Sequence, residues 1–307
     1  MTDVASASAP AAAARAPVTS AEAQACCTAV TRAAGSSFYY AFLPMARPRR
    51  EAMFVIYAFC RHADDIVDES DDAGAAAREL EAWRAETRQA LSGEAGAVHP
   101  ILQRLAEVVR EYGIDPGLPF VLLDGMAMDL EGVNYPDFAA LSRYCYRVAS
   151  VVGLMCIRVF GCTDPAAERF AVAHGMAFQL TNIVRDVARD AAMGRVYLPE
   201  DDMARLGVSR AAVLGGRFAD PELRRLLALL RDRAEGFYDE AAAIARALPT
   251  RERRLLLPSR IMGSIYRALL DEIAGRDYRI EPLVTVSAPR KLLLAGRAFL
   301  DHLLDRW

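Results

Sequence analysis

The chain is predicted to fold as an all-α protein, and three observations predict it. From about Ala21 onward apolar residues recur at spacings of three and four, as in Met53, Ile56, Tyr57 and Cys60. That is the period of a helix with one buried face. No stretch alternates apolar and polar residues as a half-buried strand would. Proline and glycine fall between the periodic segments, where they start and stop helices.

The predicted helices follow in order. One runs near 22–34 and ends before Gly35, and a second runs near 47–70 into an acidic stretch. A third covers about 75–91, and Pro100 opens a fourth over 100–112. Gly113, Pro116 and Gly117 separate that helix from 117–131, and Pro136 opens 136–160. Gly161 and Pro165 mark the boundary before 165–192. Gly194, Pro199, Gly207, Gly215 and Gly216 then break the chain before a helix near 220–246. Pro249 precedes 252–275, and Pro282 and Pro289 bracket the start of 287–305. No linker longer than a few residues intervenes, so 21–307 reads as one all-α domain. Residues 1–20 are rich in Ala, Ser and Pro, with no apolar core after a basic start. They read as a disordered leader and not as a signal peptide.

Composition excludes several classes. An apolar content of 53% over 307 residues suffices for a large core, and a net charge of −3 gives no footprint for nucleic acid. Lys291 is the only lysine, so nearly all positive charge is arginine. The six cysteines lack CxxC spacing and read as reduced thiols, neither a disulfide framework nor a zinc site. The longest apolar run, Val148 to Ile157, is too short to span a bilayer.

Chemistry concentrates in two acidic clusters. The first is Arg61-His62-Ala63-Asp64-Asp65-Ile66-Val67-Asp68, and the second is Asn182-Ile183-Val184-Arg185-Asp186-Val187-Ala188-Arg189-Asp190. Asp64/Asp68 and Asp186/Asp190 are i,i+4 pairs, each projecting from one face of a helix. Gln179 and Asn182 extend the second pair into a single stripe. Carboxylates stacked on one face repel, and an all-oxygen set of this kind suits a hard cation such as Mg²⁺.

Five ordered blocks carry a family resemblance. They are Gly35-Ser36-Ser37-Phe38-Tyr39-Tyr40 with Tyr57 to Asp68; Asp124-Gly125-Met126-Ala127-Met128-Asp129-Leu130; Tyr144-Cys145-Tyr146-Arg147-Val148-Ala149; Gln179 to Asp186; and Gly194-Arg195-Val196-Tyr197-Leu198-Pro199. Together they resemble the squalene/phytoene synthase family, most strongly from Gly35 to Pro199. The resemblance implies an isoprenoid-synthase-type helical bundle around a central cavity. It also implies two or three Mg²⁺ ions holding substrate diphosphate, with Asp64, Asp68, Asn182, Asp186 and Asp190 as ligands. Arg61 and Arg195 are expected to face the diphosphates, joined by Arg185, Gln179 and Tyr197. Ser37, Phe38 and Phe42 are expected at the substrate, and Tyr144 at the reaction centre, where its ring steadies a carbocation and its hydroxyl moves a proton. Phe42, Val148, Ala149, Val152, Gly153, Phe178 and Leu180 are candidates for an apolar tunnel, each equally readable as ordinary core.

Two positions depart from the family pattern: Arg189 where an acid is common, and Ser150 where glycine is common. Ser150, as a larger side chain, is expected to narrow the pocket. Within the family the motif variants, with Ala288-Pro289-Arg290-Lys291-Leu292, are most similar to bacterial members that make presqualene diphosphate for hopanoids. The expected reaction joins two farnesyl diphosphates and releases diphosphate. No Gly-x-Gly-x-x-Gly fingerprint follows a strand, so NADPH is not expected. Phytoene formation from geranylgeranyl diphosphate and NADPH-dependent squalene formation share these motifs and remain rival readings. A non-catalytic helical scaffold is the rival from another class, and a di-iron bundle lacks its Glu-x-x-His pairs. The protein is expected in the cytoplasm, in peripheral contact with the inner face of the membrane, with downstream isoprenoid enzymes as partners. Its last helix, Arg290 to Trp307, has a mix of leucine, phenylalanine and arginine that suits a bilayer surface, while packing onto the helical core is the favoured use of it.

Overall fold

The computed structural model describes residues 18–33, 37–70, 72–94, 98–132 and 134–304. The leader up to residue 17, Gly35, Ser36 and the side chain of Ser37 lie outside the described residues. Among those described there is no strand, as the periodicity predicts. The helices are α1 (Ser20–Ala33), α2 (Ser37–Phe42), α3 (Arg47–Asp68), α4 (Ala73–Ser92), α5 (Pro100–Tyr112), α6 (Leu118–Leu130) and α7 (Phe138–Cys145). A π-helical turn (Tyr146–Ser150) leads into α8 (Val151–Phe160) and α9 (Pro165–Ala192). Then come α10 (Glu200–Leu206), α11 (Arg210–Leu214), α12 (Pro221–Ala247), α13 (Thr250–Leu255), α14 (Leu257–Gly275) and α15 (Ala288–Leu303).

Local chemistry sets the ends. The Asp164 side chain accepts from the Ala166 amide at 2.8 Å while Pro165 fills the first position of α9, where a missing N–H costs nothing. Asp137 caps α7 in the same way through Ala140 at 2.7 Å. Gly113 and Gly161 close α5 and α8 in the left-handed region, at φ 61° and 88°.

Two expected helices are broken. The segment 136–160 was read as continuous, but it widens at the π turn, where the Val151 amide donates to the Tyr146 carbonyl five residues back. The widening brings the Ser150 backbone against Gly175 of α9. The segment 252–275 breaks at Leu256, because Pro258 has no amide hydrogen to continue the ladder. The short helices α2, α10 and α11 fall where no helix was expected.

α9 lies at the centre, packed against α12, α8, the π turn and α14. α3 packs on α1, α5, α4, α6 and α8. One cluster of buried side chains extends from Cys27 to Ala298. By length and composition the helix Phe138–Phe160 is sufficient to cross a bilayer, unlike its inner apolar run alone. It carries Arg143, Arg147 and Arg158 and is packed between α6 and α9. All six cysteines are free thiols.

Candidate active site

One cavity opens between α3, α6, the π turn, α8, α9 and α14, with α2 along its edge. Its lining changes in character along two helices in the same sense. On α3 it passes from Met53 and Ile56 to Arg61 and Asp64, and on α9 from Phe170 and His174 to Gln179 and Asn182. The result is a pocket that is apolar at one end and charged at the other. Helical spacing produces this, because residues three and four apart share a face while Phe59, Ala63 and Val67 of α3 turn into the core.

At the charged end, Arg61 reaches Asp64 at 3.4 Å and also pairs with Asp65. Asp68 pairs with Arg195, whose second nitrogen donates to the Val67 carbonyl at 3.0 Å. Arg189 of α9 reaches the same carboxylate at 3.5 Å, so the departure from the family pattern serves as a link between the two acidic helices. Arg185 Nε donates to Asp186 Oδ1 at 2.6 Å and its Nη2 pairs with the other oxygen. Arg185 therefore grips its own neighbour, and like Asp68, Asp186, Asp190, Arg195 and Tyr197 it stands beside the cavity and not in its lining.

Uncompensated charge shows in the carboxyls. Burial and the charge of Asp186 push Asp190 up to about 7. Burial and Asp68 push Asp64 up to about 6, against the pull of Arg61. The Asp64 side chain keeps 44% of its surface open, so Asp68 is the firmer cause there. Asn182 Oδ1 is buried without a partner, an acceptor with nothing to accept from. Among the described residues no three His, Cys, Asp or Glu side chains gather closely enough to hold one ion.

Phe38, Phe42, Arg61, Asp64, Tyr144, Gln179 and Asn182 line the cavity. So do Val148, Ala149, Val152, Gly153 and Phe178 among the tunnel candidates. Leu180 does not; it is fully buried on the opposite face of α9. Ser150 is fully buried too, and its hydroxyl donates to the Val172 carbonyl at 2.9 Å. It stitches the π turn to α9 and is not part of the pocket lining, contrary to the expectation that it narrows the pocket.

Three lining residues received no role from the sequence. Asp129 accepts the hydroxyls of both Tyr144 and Tyr197, at 3.1 and 2.6 Å. Tyr266 sets its ring 4.6 Å from that of Phe178. His174 is buried among Phe170, Phe178 and Tyr238, and burial pushes its imidazole down to about 3, so it stays neutral. Asp129 ends one of the quoted blocks, a signal that was present. Tyr266 arrives on α14 with no local motif to mark it.

A family model described as squalene/phytoene synthase matches residues 31–291. Presqualene diphosphate synthase from Rhodopseudomonas palustris is 36% identical, over 87% of this chain and 90% of its own. Phytoene synthase 2 from Solanum lycopersicum is 33% identical, over 91% of this chain and 90% of its own. A crystal structure of a dehydrosqualene synthase in complex with ligand superposes with a TM-score of 0.80 at 28% identity, covering 93% of this chain and 98% of that one.

Proposed function

Because the chain belongs to the squalene/phytoene synthase family, we propose that it joins two farnesyl diphosphates into presqualene diphosphate, releasing one diphosphate. Membership makes it a prenyltransferase that couples prenyl diphosphates head to head; the chain length and the stopping point are our reading. The observation that carries the reading is the graded cavity. A diphosphate fits the Arg61/Asp64/Asn182 end, and a prenyl chain fits the end lined by Met53, Phe170 and Phe160.

The residues divide the work. Arg61 and Arg195 orient diphosphate oxygens, with Gln179 and Tyr197 beside them. Asp64, Asp68, Asn182, Asp186 and Asp190 would hold two or three Mg²⁺ ions. The donors fit: all are oxygens, one is an orphaned acceptor, and burial together with the charge of Asp186 raises Asp190 in a way a bound cation would relieve. Asp68 and Asp186 would exchange arginine contacts for the metal. Bound there, the ions would supply neutralisation of the departing diphosphate. Phe38, Phe42, Val148, Ala149 and Phe178 keep water from the allylic cation. Tyr144 lies between the two regions, where its ring face steadies positive charge.

The reading includes no NADPH, since a reaction that stops at the cyclopropane needs no hydride. The likeness to a presqualene diphosphate synthase supports the farnesyl substrate. We place the protein in the cytoplasm, in peripheral contact with the membrane, passing product to downstream isoprenoid enzymes of hopanoid synthesis. In support, α15 turns Leu292, Leu293, Leu300 and Leu303 outward beside an exposed Arg297, the composition of an interfacial helix. Comparing kcat/KM for farnesyl and geranylgeranyl diphosphate tests the substrate, and preference for the C20 compound overturns it.

A further inference from the structure

Tyr144 and Tyr197 share one carboxylate. The Tyr144 hydroxyl donates to Asp129 Oδ2 at 3.1 Å and the Tyr197 hydroxyl to Oδ1 at 2.6 Å. Their rings stack with centroids 5.1 Å apart, and Tyr135 closes a third side at 5.5 Å from Tyr144. Asp129 and Tyr144 both line the cavity that Asp64 and Asn182 also line. Among the described residues no arginine or lysine forms an ion pair with Asp129, and each of its oxygens is held by a phenol, with Arg195 acting on it only through its field. A half-buried carboxylate arranged in this way is a base waiting for a proton, with a tyrosine beside it at the substrate space.

We propose that Asp129, acting through the Tyr144 hydroxyl, accepts the proton lost when the cyclopropane closes; this deepens the coupling reaction proposed above and rests on it. In that step a C–H bond on C1 of the ionised chain, one carbon removed from the tertiary cation, breaks, and its electron pair forms the last carbon–carbon bond of the ring. The proton goes to Tyr144 Oη as Tyr144's own proton moves along the existing hydrogen bond to Asp129 Oδ2. The positive charge on carbon and the negative charge on Asp129 disappear together, leaving an uncharged ring, still bearing its diphosphate, and a carboxylic acid. No phenolate forms.

The surroundings suit each member of the relay. Burial and the charge of Asp129 hold the Tyr144 hydroxyl well above the ordinary tyrosine range, so it conducts a proton without standing ionised. Burial pushes Asp129 up to about 6, against the hydrogen bonds from Tyr197 and Tyr144 and the field of Arg195. It is thus still a base at neutral pH, and a better one than a surface carboxylate. Tyr197 fixes the carboxylate plane through its other oxygen and is a positioning residue.

The test is D129N, which keeps the shape, exchanges one acceptor oxygen for an amide donor and cannot take up a proton. In the parent, one diphosphate is released for each ring formed. In D129N we expect ring formation to fall by about 10²-fold or more, with KM little changed and diphosphate release outrunning ring formation. The excess appears as a coupled, uncyclised alcohol that still carries one diphosphate, because the tertiary cation persists until water quenches it. Y197F, which retains the acceptor, should lose about tenfold or less and keep the parental ratio. If D129N does not fold, Y144F removes the conduit and must show the same excess. The proposal is overturned if D129N still gives one ring per diphosphate, whether fast or slow. A parent that couples no prenyl diphosphate refutes the coupling reading as well, whereas a normal parent with an unchanged D129N ratio refutes the relay alone.

Discussion

Replacing Gly175 with alanine tests the crossing of α9 over the π-helical turn, which forms one wall of the cavity. A Cβ at Gly175 sits 2.5 Å from Ser150 Cα, 2.7 Å from Ser150 N and 2.9 Å from the Ala149 carbonyl carbon. These are backbone atoms and cannot rotate away. Restoring ordinary contact requires the two segments to part by roughly 1 Å. The Ser150 hydroxyl, now 2.9 Å from the Val172 carbonyl, would then lie beyond hydrogen-bonding range. Overpacking costs about 1–3 kcal/mol, and losing a buried hydrogen bond costs about 1 more. Alanine's better helix propensity returns about 1 kcal/mol. The net expectation is a loss of about 2 kcal/mol. Gly236 on α12 is the control, since nothing lies within 4 Å of its Cβ position. Gly236→Ala should gain about 0.5–1 kcal/mol. Urea unfolding reads both as opposite shifts in midpoint with unchanged slope. A Gly175→Ala protein as stable as the parent, or both variants shifting the same way, would refute the reasoning.

Asp68→Ala and Asp190→Ala should each cut diphosphate release by on the order of 10²-fold or more while the protein still melts cooperatively; near-parental turnover removes the metal role from that residue. In metal-free buffer Asp190→Asn should stabilise the protein at pH 8 and leave it unchanged near pH 3. The carboxyl is raised to about 7 in the fold, so its ionisation penalty is absent below the unfolded pKa and complete above about 7. A benefit confined to acid, measured by thermal melting across pH, contradicts that sign. On cell fractionation, membrane-bound protein should be released by a high-salt or alkaline wash, and retention through both contradicts peripheral contact.

The sequence revealed most about features written within one helix. Asp64 with Asp68, and Asn182 with Asp186 and Asp190, could be placed on single faces because i,i+4 spacing depends on nothing beyond the helix itself. Features made by two distant segments stayed hidden. Asp129 meets Tyr144 only because α6 packs on the π turn, and Tyr197 joins from a loop 68 residues further along. Arg189 stood out only as a departure from the family pattern, and its partner Asp68 belongs to another helix. Leu180 and Phe178 are both apolar and two residues apart, and only the neighbours of α9 decide which lines the cavity. Ser150 misled for the same reason: its hydroxyl is used by a carbonyl that the local sequence does not contain. The π turn has no composition of its own, since the residues that widen there would also suit an α-helix.

The most direct measurement of the central claim is the product formed by purified protein from farnesyl diphosphate and Mg²⁺, with and without excess NADPH. The expected product is presqualene diphosphate in both reactions, with one diphosphate released for each molecule formed. Squalene as the main product when NADPH is present would contradict the stopping point, and turnover of geranylgeranyl diphosphate alone would contradict the substrate.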